Sequence, residues 1–416
     1  MAAGGKTWYT VTRTAPQGER MIPMEKIRIG IVGIGNMGSA HAVSVYAGRI
    51  EGLTLAAVCD IDEAKCRWAA QHLPGVPCYT DYEDMLAEAK LDAVLIAAPH
   101  YAHPPMAEAA FARGLHVLTE KPLGVSARRA RAVLEAAKAA GTVFGIMYNQ
   151  RTNPLFARAK ELLQAGRLGR RKRLVWIITN WYRTQAYYDS GSWRASWAGE
   201  GGGVLINQCP HNLDLWQWIY GMPTRIRADC GYGRYHHIEV EDDVTAYAEY
   251  EDGGTATFIA TTGECPGTNR LEMSGDRGKI VIEDGVLKFW ELEQPERDFC
   301  FSAPAGFGAP KYTYTEYQPD GEGPAHNGIL QNFTRAVLYG EPLLAPGEEG
   351  INGLRISNAI HLSSWTGGGF VPVPPDGEAF DHLLQERIDA SGRQPSFVSR
   401  LSSDAGQYSH RWKVKW

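Results

Sequence analysis

The sequence predicts an α/β fold in which a doubly wound parallel sheet precedes an α+β domain with a largely antiparallel, open sheet. In the N-terminal third, short buried strands alternate with alanine-rich helices, as in βαβ units. A glycine-rich turn joins the first strand to the first helix, and strand patterns separated by turn residues fill much of the C-terminal part. We therefore expect an N-terminal extension (1–23), a first domain (24–148), a second domain (149–375) and a C-terminal tail (376–416).

The composition is that of an ordinary globular protein. The chain has 416 residues, of which 21% are charged, and a formal net charge of −5. This acidic balance argues against a nucleic acid or an anionic membrane as partner. No run of about 18 apolar residues is present to span a bilayer, and residues 1–23 lack the apolar stretch of a secretory signal. We therefore expect a cytoplasmic protein whose partner is a small molecule.

The cysteines and histidines give no pattern typical of a disulfide scaffold or a metal site. The seven cysteines include no C-x-x-C pair, so we expect neither a disulfide framework nor a structural zinc ion. His236-His237 and His100-x-x-His103 are not accompanied by a convincing set of further ligands. We assign no metal.

The first domain is predicted from apolar runs at regular spacing. IRIGIVG is short and rich in branched residues, which suits a parallel strand buried on both faces. The helix that follows the glycine turn extends to about Ala47, and another helix follows the second strand. The other four strands are predicted at 53–60, 91–99, 116–120 and 143–148.

The glycine turn has the spacing G-x-G-x-x-G in the required context, directly after a strand and opening a helix. Gly33 permits the tight turn, Gly35 lets the backbone approach a pyrophosphate, and Gly38 allows close packing of the helix. The helix start, which includes Asn36 and Met37, offers free amides and the positive end of the helix dipole to phosphates. These features predict a Rossmann dinucleotide-binding domain.

The choice of dinucleotide is predicted at the end of the second strand. Asp60 stands 22 residues after Gly38, where a carboxylate accepts hydrogen bonds from the adenosine ribose. The next residue is Ile61 rather than an arginine, so nothing at this turn would compensate a 2′-phosphate. The sequence therefore favours NAD over NADP as cofactor.

The second domain is predicted as strands with helices on one face. Helices are expected near 154–165, 328–338 and 348–365, the last two returning to the first domain, and a further helix is closed by Gly221. The alternating apolar residues of 243–290 leave one sheet face in need of cover, which predicts a homodimer or homotetramer built through these sheets. Strands are expected at 173–182, 224–232, 243–250, 254–262, 270–274 and 278–290, and the alternating residues include Val244, Ala246, Phe258 and Ile280.

A loop before the Gly221 helix is rich in aromatic residues. Packing is the simpler explanation for rings in strands and helices. A polar loop carrying Tyr187, Tyr188, Trp193 and Trp197 instead favours a flat ligand, such as a pyranose face or a nicotinamide. We select Tyr187 and Trp197 as candidate substrate contacts.

Three polar residues recur on the helix closed by Gly221. Asn207, His211 and Asp214 follow the spacing i, i+4, i+7, which places them on one helical face. Such a stripe would be costly to bury without partners, so we expect it to face a ligand cleft and assign all three to substrate binding. By its ordinary pKa, His211 is the best candidate for a general base.

Four motifs together resemble the glucose–fructose oxidoreductase/inositol dehydrogenase (Gfo/Idh/MocA) family. They are the glycine turn, AAPHYAHP at 97–104, Glu120-Lys121-Pro122 at a strand end, and GGGVLINQCPHNLD at 201–214. The resemblance covers residues 24–375. It implies NAD- or NADP-dependent oxidation or reduction of a secondary alcohol on a sugar, sugar derivative or cyclitol, and it also implies an oligomer.

The resemblance also implies roles for individual residues. Lys121 matches the active-site lysine and His211 the catalytic histidine, while Asn207, our third catalytic candidate, stands where aspartate is common. His100 departs from the pattern in a similar way, since asparagine is common there. The implied cofactor contacts beyond the glycine turn are Ala98, Pro99, His103, Glu120, Lys121, Trp193 and Arg194.

Mechanistic and functional alternatives remain open at this point. Either His211 or Lys121 is the base, and an asparagine at 207 shifts the balance to Lys121 unless Asp214 substitutes for the missing carboxylate. The favoured function is an NAD-dependent dehydrogenase acting on CH–OH groups. The alternatives are an NAD-dependent glycoside-cleaving enzyme that oxidises its sugar transiently and retains NAD, and a non-catalytic dinucleotide sensor.

Overall fold

The computed structural model describes residues 26–191, 193–321 and 323–392, and the predicted N-terminal extension lies outside them. The first domain contains a parallel sheet with helices on both sides. Its elements are β1 (Ile27–Val32), α1 (Asn36–Tyr46), β2 (Leu53–Cys59), α2 (Glu63–His72), β3 (Cys78–Tyr79), α3 (Tyr82–Glu88), β4 (Ala93–Ile96), α4 (His103–Phe111), β5 (His116–Thr119), α5 (Ala127–Ala140) and β6 (Phe144–Ile146).

The sheet order is β3-β2-β1-β4-β5-β6 and its strand pairs are parallel. This is the Rossmann order, in which the chain reverses direction between β1 and β4 and ligands bind at the carboxyl ends of the strands. Ile29 and Ile31 of β1 have no exposed surface, as expected for a central strand covered on both faces. The five predicted strands are confirmed, and the two-residue edge strand β3 was not predicted.

The second domain is built on one large sheet. Its elements are α6 (Pro154–Gln164), β7 (Arg171–Ile178), α7 (Gln185–Tyr188), α8 (Val204–Asn207), α9 (Pro210–Leu215), β8 (Arg225–Tyr232), β9 (Glu241–Glu249), β10 (Thr255–Thr261), β11 (Asn269–Gly275), β12 (Gly278–Glu283), β13 (Val286–Leu292), α10 (Glu296–Ser302), β14 (Tyr312–Tyr317), α11 (Ala325–Tyr339), α12 (Gly350–Trp365), β15 (Val371–Pro372) and α13 (Gly377–Asp389).

Among the described residues, nine strands run in the order β14-β13-β12-β11-β7-β10-β9-β8-β15, and β7 and β10 are the one parallel pair. The prediction of a largely antiparallel open sheet is confirmed. The run predicted as one strand at 278–290 is two strands, because Asp284 and Gly285 adopt positive φ angles and form a turn. Four apolar residues that we associated with the uncovered sheet face are at most 1% exposed and belong to the inner core: Val244, Ala246, Phe258 and Ile280.

Helices α11 and α12 return to the first domain, as predicted. Leu330 and Phe333 of α11 belong to the core of the Rossmann domain. The helix α12 contributes to both cores, with Leu354 packed in the first and Ile360 in the second. This shared helix fixes one domain against the other, and it therefore fixes the cleft between them.

Part of the predicted C-terminal tail is folded. Residues 377–389 form α13, whose Phe380 is 1% exposed and packs against Trp365. Phe380 and Leu384 recur at i, i+4 and give the helix an apolar stripe, which the surrounding Pro and Gly residues obscured in the sequence. The remainder of the tail, 393–416, lies outside the described residues.

One disulfide, which the sequence analysis did not anticipate, joins Cys66 on α2 to Cys78 on β3. Their sequence separation of 12 does not reveal that the helix packs on this edge strand, with the two Cα atoms 5.5 Å apart. The other five cysteines are free thiols. Within the described residues, no helix combines the length and apolar character needed to cross a bilayer.

Candidate active site

The glycine turn between β1 and α1 has the geometry of a phosphate-binding loop. Gly33 has a φ of +83°, which glycine adopts without strain. A Cβ on Gly38 would lie 1.8 Å from the Gly33 carbonyl oxygen, whereas a Cβ on Gly35 would meet no atom within 4 Å. No side chain caps the start of α1. The open space at Gly35 and the uncapped amides fit the pyrophosphate of a dinucleotide.

Asp60 anchors this turn to the end of β2. Its Oδ2 accepts a hydrogen bond from the Ile34 amide at 2.9 Å, and its Oδ1 accepts one from the Asp62 amide at 3.0 Å. Burial raises the pKa of Asp60, and these two amides oppose the rise. Each carboxylate oxygen has a further lone pair for a ribose hydroxyl. The adjacent Ile61 is 68% exposed, so it presents an apolar surface beside the carboxylate.

Glu120 follows β5 and is fixed to α1. Its Oε1 accepts a hydrogen bond from His41 Nε2 at 2.8 Å, and its Oε2 accepts one from the Lys121 amide at 3.1 Å. Burial alone would raise the pKa of Glu120, but the hydrogen bond and charge of His41 outweigh it and lower the pKa to about 2. A carboxylate is therefore held permanently ionised beside Lys121.

Lys121 connects the two domains. Its Nζ donates a hydrogen bond to the backbone oxygen of Asn207 at 2.9 Å. Burial lowers the pKa of Lys121, while the charges of Glu120 and Glu200 raise it. A lysine with a lowered pKa exchanges a proton more readily near neutral pH than a solvated one does.

His211 lies on α9 in the same cleft. It is 9% exposed, and its ring meets that of Tyr148 edge-on at 6.4 Å between centroids. Burial, followed by the charge of Lys121, lowers the pKa of His211 well below its ordinary value. The imidazole is therefore neutral at neutral pH, and it is a weaker base than a solvated histidine.

The side chain of Asn207 contacts residues of the aromatic loop. Its Oδ1 accepts hydrogen bonds from Tyr187 Oη at 3.4 Å and from Gln208 Nε2 at 3.1 Å. Arg194 Nη1 donates to Tyr187 Oη at 3.1 Å, and the guanidinium lies over the Trp193 ring at 4.4 Å. The structure thus brings together Lys121, His211, Asn207, Tyr187, Trp193 and Arg194, which the sequence predicted as site residues.

The predicted stripe of three polar residues is interrupted. The first helix ends at Asn207 and a second begins at Pro210, which has no amide hydrogen to continue the first. Asp214 therefore turns away from the cleft: its Oδ1 and Oδ2 accept hydrogen bonds from Arg151 at 2.6 and 2.9 Å. The expectations that Asp214 contacts substrate and that it substitutes for a carboxylate at 207 were wrong.

Trp197 lies outside the cleft. It is 5% exposed and packs against Tyr232, His361 and Trp365 in a separate aromatic core. The preceding chain, near Ala195 and Ser196, is buried and directs this ring inward, whereas Trp193 is partly exposed and its ring lies against the Arg194 guanidinium. Sequence order within a loop does not show which rings turn inward, so the expectation for Trp197 was wrong.

The loop after β4 borders the glycine turn, since a Cβ on Gly33 would lie 2.6 Å from the Ala97 oxygen. Ala98 and Pro99 follow directly. Both ring nitrogens of His103 lie against backbone oxygens, Nδ1 at 2.7 Å from Pro122 and Nε2 at 2.6 Å from Ala98. His103 is 1% exposed, so it joins two loops of the site instead of reaching the cofactor as expected.

Several polar residues of this region were not predicted. Glu241 on β9 accepts hydrogen bonds from the amides of Gly203 and Leu205 at 2.9 and 3.0 Å and so fixes the glycine segment that precedes Asn207. Glu200 is 2% exposed and accepts a hydrogen bond from Asn207 Nδ2. An acidic residue next to a glycine run was the available signal for Glu200. No cluster of three or more His, Cys, Asp or Glu side chains suited to a metal occurs among the described residues.

These features define an NAD-binding oxidoreductase with a Rossmann domain. Residues 27–148 match the model of the oxidoreductase family described as having an NAD-binding Rossmann fold, and residues 156–281 match the GFO/IDH/MocA C-terminal domain. The chain belongs to the GFO/IDH/MocA family, and the predicted resemblance is confirmed.

Individual relatives match at moderate identity. Inositol 2-dehydrogenase 4 of Saccharopolyspora erythraea is 38% identical over 146 residues, which is 35% of this chain and 43% of that protein. D-xylose 1-dehydrogenase (NADP(+)) 2 of Haloferax volcanii is 28% identical over 81% of this chain and 97% of its own length. The WlbA dehydrogenase of Chromobacterium violaceum, solved with NADH and UDP-GlcNAcA, superposes with a TM-score of 0.73 at 25% identity, covering 85% of this chain and 98% of that one.

Proposed function

We propose that this protein is an NAD-dependent dehydrogenase that acts on a secondary alcohol of a sugar, sugar derivative or cyclitol. The observation that carries the proposal is the meeting of Lys121 and the Asn207–His211 segment at the carboxyl edge of the Rossmann sheet. Ligands of such sheets bind at this edge. Two groups with lowered pKa values at this edge support the proposal that a substrate hydroxyl meets the cofactor there.

The chemistry needs one proton acceptor and one group that stabilises developing negative charge. NAD, when bound, supplies the acceptor for the hydride of the carbinol carbon. The neutral imidazole of His211 is suited to take the hydroxyl proton, and the Lys121 ammonium to stabilise the alkoxide that forms. Because burial lowers the pKa of Lys121, a neutral Lys121 amine is the alternative base.

The substrate class is proposed from the polar groups and rings of the cleft. Tyr187 and Asn207 offer hydroxyl and amide groups to a polyhydroxylated ring, and Trp193 offers an aromatic face. The relatives above are named for inositol and xylose, both polyols of this kind.

A substrate screen tests this proposal. Purified enzyme is mixed with NAD and a panel of cyclitols, pentoses, hexoses and uronic acids, and NADH formation is followed by absorbance. We expect turnover with at least one polyol, and a large loss of turnover in Lys121→Ala. Turnover that needs no added NAD and releases an aglycone from a glycoside would instead favour the glycoside-cleaving alternative.

We also propose that the enzyme is a homodimer or homotetramer assembled through the outer face of the large sheet. Cross-strand neighbours on that face are half-exposed and apolar: Val175, Ile177, Tyr247 and Ile259. Thr257 lies between Tyr247 and Val175, and Arg270 and Glu272 of β11 border the group. Exposed apolar side chains grouped within a polar rim are typical of interaction sites. Sedimentation at micromolar concentration is expected to give a dimer or tetramer, and Ile177→Glu is expected to shift it toward monomer. A monomeric wild type would contradict the proposal.

A further inference from the structure

A buried carboxylate contacts the candidate catalytic segment from the second domain, which we call the substrate domain. Glu200 is 2% exposed and immediately precedes the glycine segment that leads to Asn207. One carboxylate oxygen accepts a hydrogen bond from Asn207 Nδ2, and the other accepts one from the Ala195 amide at 2.7 Å. The backbone oxygen of Glu200 is also engaged, by His100 Nδ1 at 3.0 Å. Both the side chain and the backbone of Glu200 are therefore fixed.

The contact determines which way the Asn207 amide faces. Burial raises the pKa of Glu200, and the charge of Arg194 and the hydrogen bonds from Ala195 and Asn207 oppose the rise. In its ionised form the carboxylate can only accept hydrogen bonds, so Asn207 presents its NH₂ group to Glu200. Its Oδ1 then points to the opposite side, where Tyr187 Oη lies at 3.4 Å. Asn207 therefore offers an acceptor, and not a donor, toward the cleft.

The same carboxylate acts on Lys121. Asn207 lies between them, because its side chain donates to Glu200 while its backbone oxygen accepts from Lys121 Nζ at 2.9 Å. Removing Lys121 from water favours its neutral form, and a nearby negative charge favours the ammonium. The titratable or charged groups that act on Lys121 or respond to it are Glu120, Glu200, Arg194, Cys209, His100, His103, His211 and His326.

Glu120 and Glu200 are the carboxylates in this group, and they differ in their partners. Glu120 is hydrogen-bonded to His41 on the Rossmann side. Glu200 is bound through amides of the substrate domain. The two carboxylates therefore face Lys121 from different domains.

We propose that Glu200 is a positioning residue for the dehydrogenase reaction, which orients the Asn207 amide and supplies the substrate-domain charge that sets the proton affinity of Lys121. The catalytic role of Glu200 rests on the proposed function. Its effect on the pKa of Lys121 is a property of the free enzyme, and it can be measured without substrate or cofactor.

The test is a direct titration of Lys121. Protein labelled with ¹³C,¹⁵N-lysine is titrated by NMR through the Lys121 ¹³Cε shift, which is assigned by its loss in Lys121→Arg. Removal of the negative charge in Glu200→Gln is expected to lower the pKa of Lys121 by about one pH unit, the scale of one nearby charge. In the double variant Glu200→Gln/Asn207→Asp, a carboxylate is restored next to Lys121, and the pKa is expected to return toward the wild-type value.

Glu241→Gln is the matched control. Glu241 is also fully buried and also holds the glycine segment through backbone amides. Its charge acts on Glu200 but is not a leading cause of the Lys121 pKa. Glu241→Gln is therefore expected to lower the melting temperature and to shift the Lys121 pKa less than Glu200→Gln does. An unchanged Lys121 pKa in Glu200→Gln, or an equal shift in Glu241→Gln, would overturn the proposal.

A second variant keeps the test decisive if Glu200→Gln does not fold. Asn207→Asp places two carboxylates in contact, so one of them should retain a proton at a pH where isolated carboxyls are ionised. Wild type and variant are compared by potentiometric titration between about pH 5 and 7. About one extra bound proton in Asn207→Asp supports the contact, and no extra proton overturns it. A shifted Lys121 titration in an enzyme that turns over no polyol would refute the proposed function and leave the role of Glu200 standing.

Discussion

Two glycines of the same turn should fail in different ways when replaced by alanine. In Gly38→Ala, the new methyl group would lie 1.8 Å from the Gly33 carbonyl oxygen, well inside contact distance. In Gly35→Ala, the methyl group would meet no protein atom within 4 Å, and the φ of −66° at this position suits alanine. The first change therefore strains the fold, whereas the second occupies the space where a pyrophosphate would lie.

The expected magnitudes follow from these distances. Gly38→Ala must move the start of α1 away from Gly33 by a distance on the order of 1 Å. We expect this to cost ~3 kcal/mol of unfolding free energy, which is at the upper end for overpacking. A loss of this size lowers the melting temperature by roughly 6–12 °C. Gly35→Ala should change stability by less than ~1 kcal/mol. It should weaken NADH binding ~10- to 100-fold, because displaced phosphate oxygens lose charge-assisted hydrogen bonds worth ~1.5–3 kcal/mol.

The assay combines melting curves of the cofactor-free proteins with NADH titrations followed by fluorescence. Wild type and Gly306→Ala, a change in an exposed loop with open space around the position, serve as controls for binding. The reasoning is refuted if Gly35→Ala binds NADH as tightly as wild type, or if Gly38→Ala melts at the wild-type temperature.

Three further predictions concern the cofactor, the pH dependence of stability and a buried ion pair. NAD should bind more tightly than NADP, and Asp60→Ala should narrow the difference by removing the repulsion of a 2′-phosphate; a measured wild-type preference for NADP would contradict this. Burial lowers the pKa of His100 to about 3. Below about pH 6.5 the unfolded chain binds a proton at His100, whereas the folded state does not. The free energy of unfolding should therefore fall with decreasing pH by up to ~1.4 kcal/mol per pH unit. His100→Asn should flatten that slope between about pH 6 and 4 in denaturant titrations, and an unchanged slope would count against it. Asp214→Ala should cost ~3 kcal/mol, at the lower end for a broken buried ion pair, because the buried Arg151 loses one carboxylate and keeps the partly exposed Glu349. Glu161→Ala, in an exposed pair, should cost less than ~1 kcal/mol in the same experiment.

The elements that follow from local patterns were predictable from the sequence. The five predicted Rossmann strands are short apolar runs, and the turn at Gly33, Gly35 and Gly38 has a spacing that few other structures require. Lys121 and His211 were found because they stand within motifs. The structure adds that these two residues meet across the domain boundary, which no local pattern shows.

The errors arise where tertiary packing decides the direction of a side chain. The helical spacing of Asn207 and Asp214 assumes one continuous helix, but Pro210 begins a second helix between them. The pairing of Asp214 with Arg151 brings together residues 63 positions apart. Trp197 and Trp193 share a loop, but Trp197 is buried and Trp193 is partly exposed. The proposed role of Glu200 depends on its contact with Asn207, which only the folded structure shows.

Steady-state turnover of Lys121→Ala on the best substrate of the screen tests the central claim most directly. The exposed Lys138→Ala, on α5, is the matched control, and melting curves show whether each variant retains its fold. The account predicts that kcat falls at least ~10²-fold in Lys121→Ala, the scale of a lost acid–base or electrostatic group, with a similar or smaller loss in His211→Ala. A near-wild-type kcat in Lys121→Ala would contradict the account and place the active site elsewhere in the cleft.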